Sequence, residues 1–282
     1  MQLGLFTDAL ADRPLPDVLD WLSAAVPEVR VLEIGLGGYS SAPHRDDLGV
    51  ATARGYAVGA LNASGNPLAD PEHDRTVREA IALAANLGVG RVVCMSGGDP
   101  RFSGGGWFPG LEEGIEREWE EDVLPYWREV GALAERAGVR LCFELEPGSA
   151  AYNTSTFERL AEVSPAIALN LDPSHFFWQG IDSLAVARRV GDRIGWAHGK
   201  DTVVDGARVA YDGVLDRGAW RYAAVGSERA ASWWRSFARE LRAGGYDDVI
   251  SIEVEDDTMT AEEAVLRSAI VLAEALSERP PR

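Results

Sequence analysis

Four apolar runs in this 282-residue chain end alike, in two polar groups one residue apart. They are Glu144 and Glu146 in "VRLCFELE", Asn170 and Asp172 in "IALNLD", His198 and Lys200 in "IGWAHGKD", and Glu253 and Glu255 in "DVISIEVE". Side chains alternate between faces along a strand, so a spacing of two puts both members of a pair on one face. Carboxylates from three strands aimed at one point repel one another strongly unless a cation lies among them. One ligand per strand gives Glu144, Asp172, His198 and Glu253, three oxygen donors and one nitrogen. That set suits one divalent metal, Mn²⁺ first, with Mg²⁺, Co²⁺ or Zn²⁺ also accommodated. Each residue alone would read more simply as a rim or capping group; the joint pattern carries the metal.

The elements that would position these pairs alternate eight times between a short apolar run and a helical period. "LGLFTD" precedes a helix over about 16–25, "YAVGALNA" one over 74–87, and "RVVCMSG" leads through a glycine-rich loop to one long helix, "EREWEEDVLPYWREVGALAERAG", closed by Gly138. Helices follow near "STFERLAEV" and "DSLAVARRV"; a long loop precedes "AASWWRSFARELRAGG", and "TAEEAVLRSAIVLAEAL" closes the pattern. After "VRVLEIG" the second unit has little helical period and reads mostly as loop. The expected fold is therefore α/β, a single-domain (β/α)₈ TIM barrel over residues 1–282 with a disordered tail from about 277. Catalytic groups of such barrels gather at the C-terminal strand ends, where the four pairs fall. No G-x-G-x-x-G follows the first strand, and "SGGDPRFSGGGWFPG" lacks the lysine of a phosphate cradle, so that loop reads as a cover over the barrel mouth.

Composition narrows the partners. A net charge of −18, with 27 scattered Lys and Arg, disfavours nucleic acid and anionic membranes. No apolar run reaches the length of a membrane span, and the N-terminus lacks a signal-like pattern, which points to a cytoplasmic protein. Cys94 and Cys142 lie in strand-like runs and read as inert buried thiols. Glu33 ends the second strand, where structural pairing and substrate contact are both open. His44 and His73 fall in polar contexts and are expected to face solvent. Trp119 and Trp127, eight apart on one helix, and Trp233 and Trp234 read as packing. Trp107, Trp178 and Trp220 fall in loops after strands, where an indole can stack on the apolar face of a sugar. Arg217 and Arg221, in "VLDRGAWRY", read either as substrate contacts or as loop salt bridges.

The segments "FELEPGSAAYN", "NLDPSHFFWQGID", "WAHGKDT", "DGVLDRGAW" and "GYDDVISIEVEDD" resemble the xylose-isomerase-like superfamily, and within it the sugar phosphate isomerase/epimerase group. The likeness covers roughly residues 139–258. It implies the same ligands, Glu144, Asp172, His198 and Glu253, with His175 facing the substrate's oxygens. It also implies a small-molecule sugar substrate and a homo-oligomer or partner subunit. One departure stands out: many relatives read E-x-H-P-G after the fifth strand, and this chain has Glu146 in place of that histidine.

The expected activity is a metal-dependent sugar isomerase or epimerase. A ketose or keto sugar would lose its α-proton to Glu144 or Glu253, forming a metal-stabilised enediolate. Glu146, Lys200, Arg217, Trp107, Trp178 and Glu33 would contact substrate. The alternative is a lyase of the same superfamily, expelling a β-substituent from a 3-keto sugar as a dehydratase or C-glycoside deglycosidase would. A more remote one is a sugar-binding barrel without chemistry.

Overall fold

The computed structural model describes residues 1–99, 101, 102 and 111–277. Trp107, most of the glycine-rich loop and the tail expected beyond 277 lie outside the described residues.

The strands are β1 (Gln2–Phe6), β2 (Val29–Gly35), β3 (Ala57–Asn62), β4 (Arg91–Cys94), β5 (Arg140–Glu144), β6 (Ile167–Leu171), β7 (Ile194–Gly199), β8 (Asp201–Val204), β9 (Trp220–Ala223) and β10 (Val249–Ile252). Eight of them close into a barrel in the order β1-β10-β7-β6-β5-β4-β3-β2, and every pairing within it is parallel. The helices are α1 (Leu15–Ala25), α2 (Leu48–Ala53), α3 (Pro71–Leu87), α4 (Glu112–Glu118), α5 (Leu124–Ala137), α6 (Thr154–Ala161), α7 (Ser174–Phe177), α8 (Ser183–Val190), α9 (Gly206–Asp212), α10 (Ala231–Ala243) and α11 (Ala261–Ser277). This is the expected (β/α)₈ barrel, and the weak second unit holds only the six-residue α2.

Local chemistry explains the element ends. Asp70 caps α3 by accepting the Glu72 N–H at 2.8 Å, and Gly88 ends that helix at φ 70°. The long helix expected before Gly138 is instead α4 and α5 joined by a π turn, Trp119–Val123. The turn lies just before Pro125, whose missing N–H cannot extend a regular hydrogen-bond ladder.

Inside the barrel, strand alternation stacks the side chains in tiers. Val31, Ala60, Val93, Cys142, Ala168, Trp196 and Val249 form a buried apolar cluster. Two residues further along the same strands come Glu33, Asn62, Met95, Glu144, Asn170, His198 and Ser251, so the apolar tier is a floor beneath one that is polar except at Met95. Trp196 is the plug in that floor. A Cβ on Gly59 would stand 2.7 Å from the Trp196 ring, so only glycine lets β3 pass it. Cys94 and Cys142 are buried free thiols, as expected, and burial pushes the Cys142 thiol up to about 12.

The segment expected as a long loop after β7 is folded. β8 and β9 pair antiparallel, Asp201 opposite Ala223, and α9 lies between them. The hairpin is tied to the rim where Thr202 Oγ1 donates to the Ser174 carbonyl at 2.9 Å. Asp201 binds Arg229 through its guanidinium at 2.8 Å and its backbone N–H at 3.0 Å. Among the described residues, no helix is long and apolar enough to cross a membrane.

Candidate metal centre

The consecutive barrel strands β5, β6, β7 and β10 bring Glu144, Asp172, His198 and Glu253 together, with one ligand atom from each lying within 4.8 Å of the others. All four are buried. Asp172 and His198 have no exposed side-chain surface and form the bottom of the group. Glu144 and Glu253 keep 9% and 11% of their side chains exposed and reach the cavity wall.

Each ligand is oriented by a neighbour. The Asn62 amide donates to Glu33 Oε1 at 2.8 Å, and the Trp196 indole donates to Glu33 Oε2 at 2.7 Å. His198 Nε2 lies 3.0 Å from the same oxygen. With Nε2–H given to Glu33, Nδ1 is directed at the carboxylates, 3.0 Å from Glu253 and 3.7 Å from Glu144. Glu33 is wholly buried, so structural pairing accounts for it, and the expected substrate contact gives way: it is sealed beneath the imidazole. Asp172 Oδ1 accepts the Ser174 N–H at 2.8 Å, leaving Oδ2 toward the centre.

The charge pattern fits a cation. Asp172 Oδ2 and Glu253 Oε2 are buried yet accept no hydrogen bond of good geometry among the described residues. Their near cationic neighbours are Lys200 Nζ, at 3.2 Å and 2.7 Å, and the imidazoles of His175, 3.4 Å from Asp172 Oδ2, and His198, 3.0 Å from Glu253 Oε2. Burial pushes the Glu253 carboxyl up to about 7. Burial also opposes ionisation of Glu144, but His198 and His175 outweigh it and hold that carboxyl well below its usual range. His198 is raised despite burial, chiefly by Glu33, Glu253 and Glu144. In effect, protons on the two imidazoles and on Lys200 stand in for positive charge that a divalent ion would supply. Three oxygens and one imidazole nitrogen at this spacing, two of the oxygens buried without a well-aligned donor and faced by cationic side chains, are a good match for such an ion.

A cavity of ≈ 160 Å³ opens above the group, walled by Glu144, Glu146, His175, Lys200, Glu253 and Glu255 among others. His175 Nε2 binds Glu144 Oε1 at 2.8 Å. Its Nδ1 meets the Tyr222 hydroxyl, also at 2.8 Å. Burial and Lys200 oppose its charge, but Asp172 and the bonded Glu144 outweigh them and raise the His175 imidazole to about 9. Lys200 also donates to Glu255 at 2.9 Å and lies 4.5 Å from the Tyr222 ring centre.

Trp178 and Arg217 are not in this cavity. They wall an adjoining one of ≈ 360 Å³, with Trp220, Tyr222, Val214 and Leu215, and Glu146 belongs to both. Trp220 lies on β9 rather than in a loop, and stacks on Trp178 at 4.5 Å and 5°. Arg221 reads as an ion pair, 3.2 Å from Asp256. His44 is buried rather than solvent-facing, because Thr7 Oγ1 and the Arg13 carbonyl satisfy its two ring nitrogens at 3.0 Å and 2.8 Å. His73 is half-buried, accepting the Asn66 N–H at 2.9 Å. Trp119, Trp127 and Trp234 are core residues, and Trp233 packs partly buried against them.

Sequence reasoning passed over Tyr222, Asn62 and Asn170. Asn170 was legible as the inward partner of Asp172 but was given no task; its amide donates to Glu144 Oε2 at 3.2 Å. For Tyr222 the only signal was the short β-rich run "WRYA".

The model of the xylose isomerase-like TIM barrel matches residues 46–275, and the chain belongs to that family. It is 33% identical over 315 aligned positions to the uncharacterized protein YfiH of Bacillus subtilis (strain 168), covering 99% of this chain and 100% of YfiH. Two solved structures share the barrel at low identity. The probable 3-DHS dehydratase AsbF of Bacillus anthracis superposes with a TM-score of 0.70 at 14% identity, over 97% of this chain and 99% of its own. The IolI protein with a bound zinc atom also gives 0.70, at 19% identity and 98% of each chain. Other neighbours of the fold include an L-ribulose 3-epimerase and a mannonate dehydratase.

Proposed function

We propose that the protein is a divalent-metal-dependent enzyme that removes a proton from the carbon next to the carbonyl of a keto sugar, as an isomerase or epimerase does. One observation carries this reading: four ligand atoms from neighbouring strands converge within 4.8 Å, and two of the carboxylates face a cavity while the other two ligands are sealed below. Glu144, Asp172, His198 and Glu253 would hold the ion, Mn²⁺ by the hardness of the donor set. When bound, the ion supplies Lewis acidity toward a carbonyl and an adjacent hydroxyl.

The chain's own residues divide the remaining work. Glu253 is the base, because it faces the cavity with its carboxyl raised by burial to about 7, whereas His175 and Asn170 engage both oxygens of Glu144, which is held well below its usual range. Lys200, at 2.7 Å from that oxygen, steadies the negative charge that develops on the substrate. His175 is directed by Tyr222 and presents its Nε2 proton beside Glu144, where a substrate oxygen can receive it. Delivery of a proton to the same carbon from the opposite face, by Glu144 as the second acid, gives an epimer, and return of the proton by Glu253 to the neighbouring carbon gives an aldose. A lyase reading shares the first step and differs in expelling a β-substituent, for which the space beyond Glu146, a residue lining both cavities, gives room.

The test is metal content by plasma mass spectrometry on dialysed wild type and Asp172→Asn, followed by α-proton exchange of keto sugars in D₂O. About one ion per wild-type chain, lost in the variant, together with exchange that depends on the ion, is the expected result. A wild type that takes up no ion even when loaded with Mn²⁺ sinks the reading.

A further inference from the structure

The second cavity has no place in the chemistry above, yet it is built against it. Its walls are Trp178, from the turn after α7, and the segment from Val214 to Tyr222, and it meets the acidic cavity along Glu146. Glu146 lines both spaces, and Tyr222 of the second is bonded to His175 of the first at 2.8 Å.

Three features give its chemistry. The indoles of Trp178 and Trp220 are stacked face to face, 4.5 Å apart and within 5° of parallel, so the outer face of the pair offers a flat apolar surface. Leu215 is 63% exposed on the rim, a large side chain left in water. Trp178 Nε1 is buried and finds no acceptor among the described residues, which is a cost unless something else accepts from it. The acidic cavity, at ≈ 160 Å³, is small beside the roughly 300–1,000 Å³ of ordinary ligand sites, and the adjoining ≈ 360 Å³ brings the pair into that range.

We propose that this second cavity is a substrate subsite for a flat aromatic group joined to the sugar, so that the natural substrate is an aryl-substituted sugar rather than a free one. The ring lies against the wall made by Trp178, Trp220 and Leu215, an oxygen on it lies within reach of Arg217, and the linkage to the sugar passes Glu146. This extends the proposed function and rests on it for the placement of the sugar.

The experiment compares D-glucose, 4-nitrophenol and 4-nitrophenyl β-D-glucoside by saturation-transfer NMR and titration on the full chain. The aryl glucoside is expected to bind about tenfold more tightly than glucose, with its ring protons saturated most strongly. Trp220→Ala and, separately, Leu215→Glu should each abolish that gain and the binding of 4-nitrophenol, leaving glucose binding unchanged. Leu215→Glu alters an exposed side chain and keeps the test independent of folding. An aryl glucoside that binds no better than glucose, or a gain that survives both substitutions, overturns the subsite. The two readings separate cleanly. Aryl binding in a wild type that takes up no metal supports the subsite and sinks the metal chemistry; metal-dependent exchange without any aryl gain does the reverse.

Discussion

The two adjoining cavities are built from different parts of the barrel. The acidic one is walled largely by residues at or just beyond the ends of barrel strands, Asn62 among them, with Glu33 and Trp196 buried behind His198. The apolar one is walled by a turn and by the excursion between β8 and β9, outside the eight-strand ring. Strand ends fix atoms to within the tolerance that proton transfer and metal binding need, whereas an excursion can change its side chains without disturbing the barrel. Reaction and selectivity are thus placed on separable elements.

The sharpest way to break that division is Glu253→Gln. If Glu253 is the base, α-proton exchange should fall by about 10²- to 10⁴-fold while binding of 4-nitrophenol in the apolar cavity is unchanged. Full exchange in the variant would remove Glu253 from the chemistry. Loss of phenol binding would mean that the two cavities are not independent.

Glu33→Gln tests the tier beneath. Glu33 touches no cavity, but it accepts from Trp196 and lies 3.0 Å from His198 Nε2. Gln keeps the size and loses the charge that fixes the imidazole, so metal affinity should drop by about 10- to 100-fold. Titration with Mn²⁺ measures this directly, and an unchanged affinity would show that His198 needs no such partner.

The same contrast accounts for how much could be read from the chain. The four residues that converge were legible, because period-two spacing at the end of an apolar run is a local signal and a barrel turns it into a shared location. Glu33 was visible as a strand-end carboxylate, but its task was not. Whether such a group meets substrate or a histidine depends on whether the tier above covers it, which is a property of the closed ring. The hairpin was missed for a different reason: "DTVV" and "WRYA" are only four residues each, and they pair across an intervening helix. His44 was misjudged because its partners, Thr7 and Arg13, are more than 30 residues away in the chain.

The acidic cavity should also respond to pH. In the metal-free protein Glu253 is raised from 4.5 to about 7 and His175 from 6.5 to about 9. Each binds more protons folded than unfolded across those intervals, so metal-free stability should decline as pH rises from about 4.5 to about 9. A metal ion must displace the protons on its own ligands Glu253 and His198, both raised without it, so its affinity should rise with pH, by about tenfold per unit for each proton released. Denaturation midpoints and Mn²⁺ titrations at several pH values check both signs. An affinity independent of pH would mean that the site is already deprotonated without the ion.

The smallest expected effect falls at the seam between the cavities. Tyr222 belongs to the excursion, but its hydroxyl is 2.8 Å from His175 Nδ1, and His175 Nε2 is 2.8 Å from Glu144. Tyr222→Phe keeps the ring over Lys200 and the apolar wall, and removes only the group that fixes the imidazole. Metal binding and aryl affinity should both be retained, and turnover should fall by a few-fold to about tenfold, the worth of one hydrogen bond. KM should stay nearly constant, because the lost bond orients a group without touching the aromatic ring of the substrate. A rise in KM with turnover unchanged would instead make Tyr222 part of the apolar cavity alone, and His175 would then be oriented by Glu144 and Asp172 without help from the excursion.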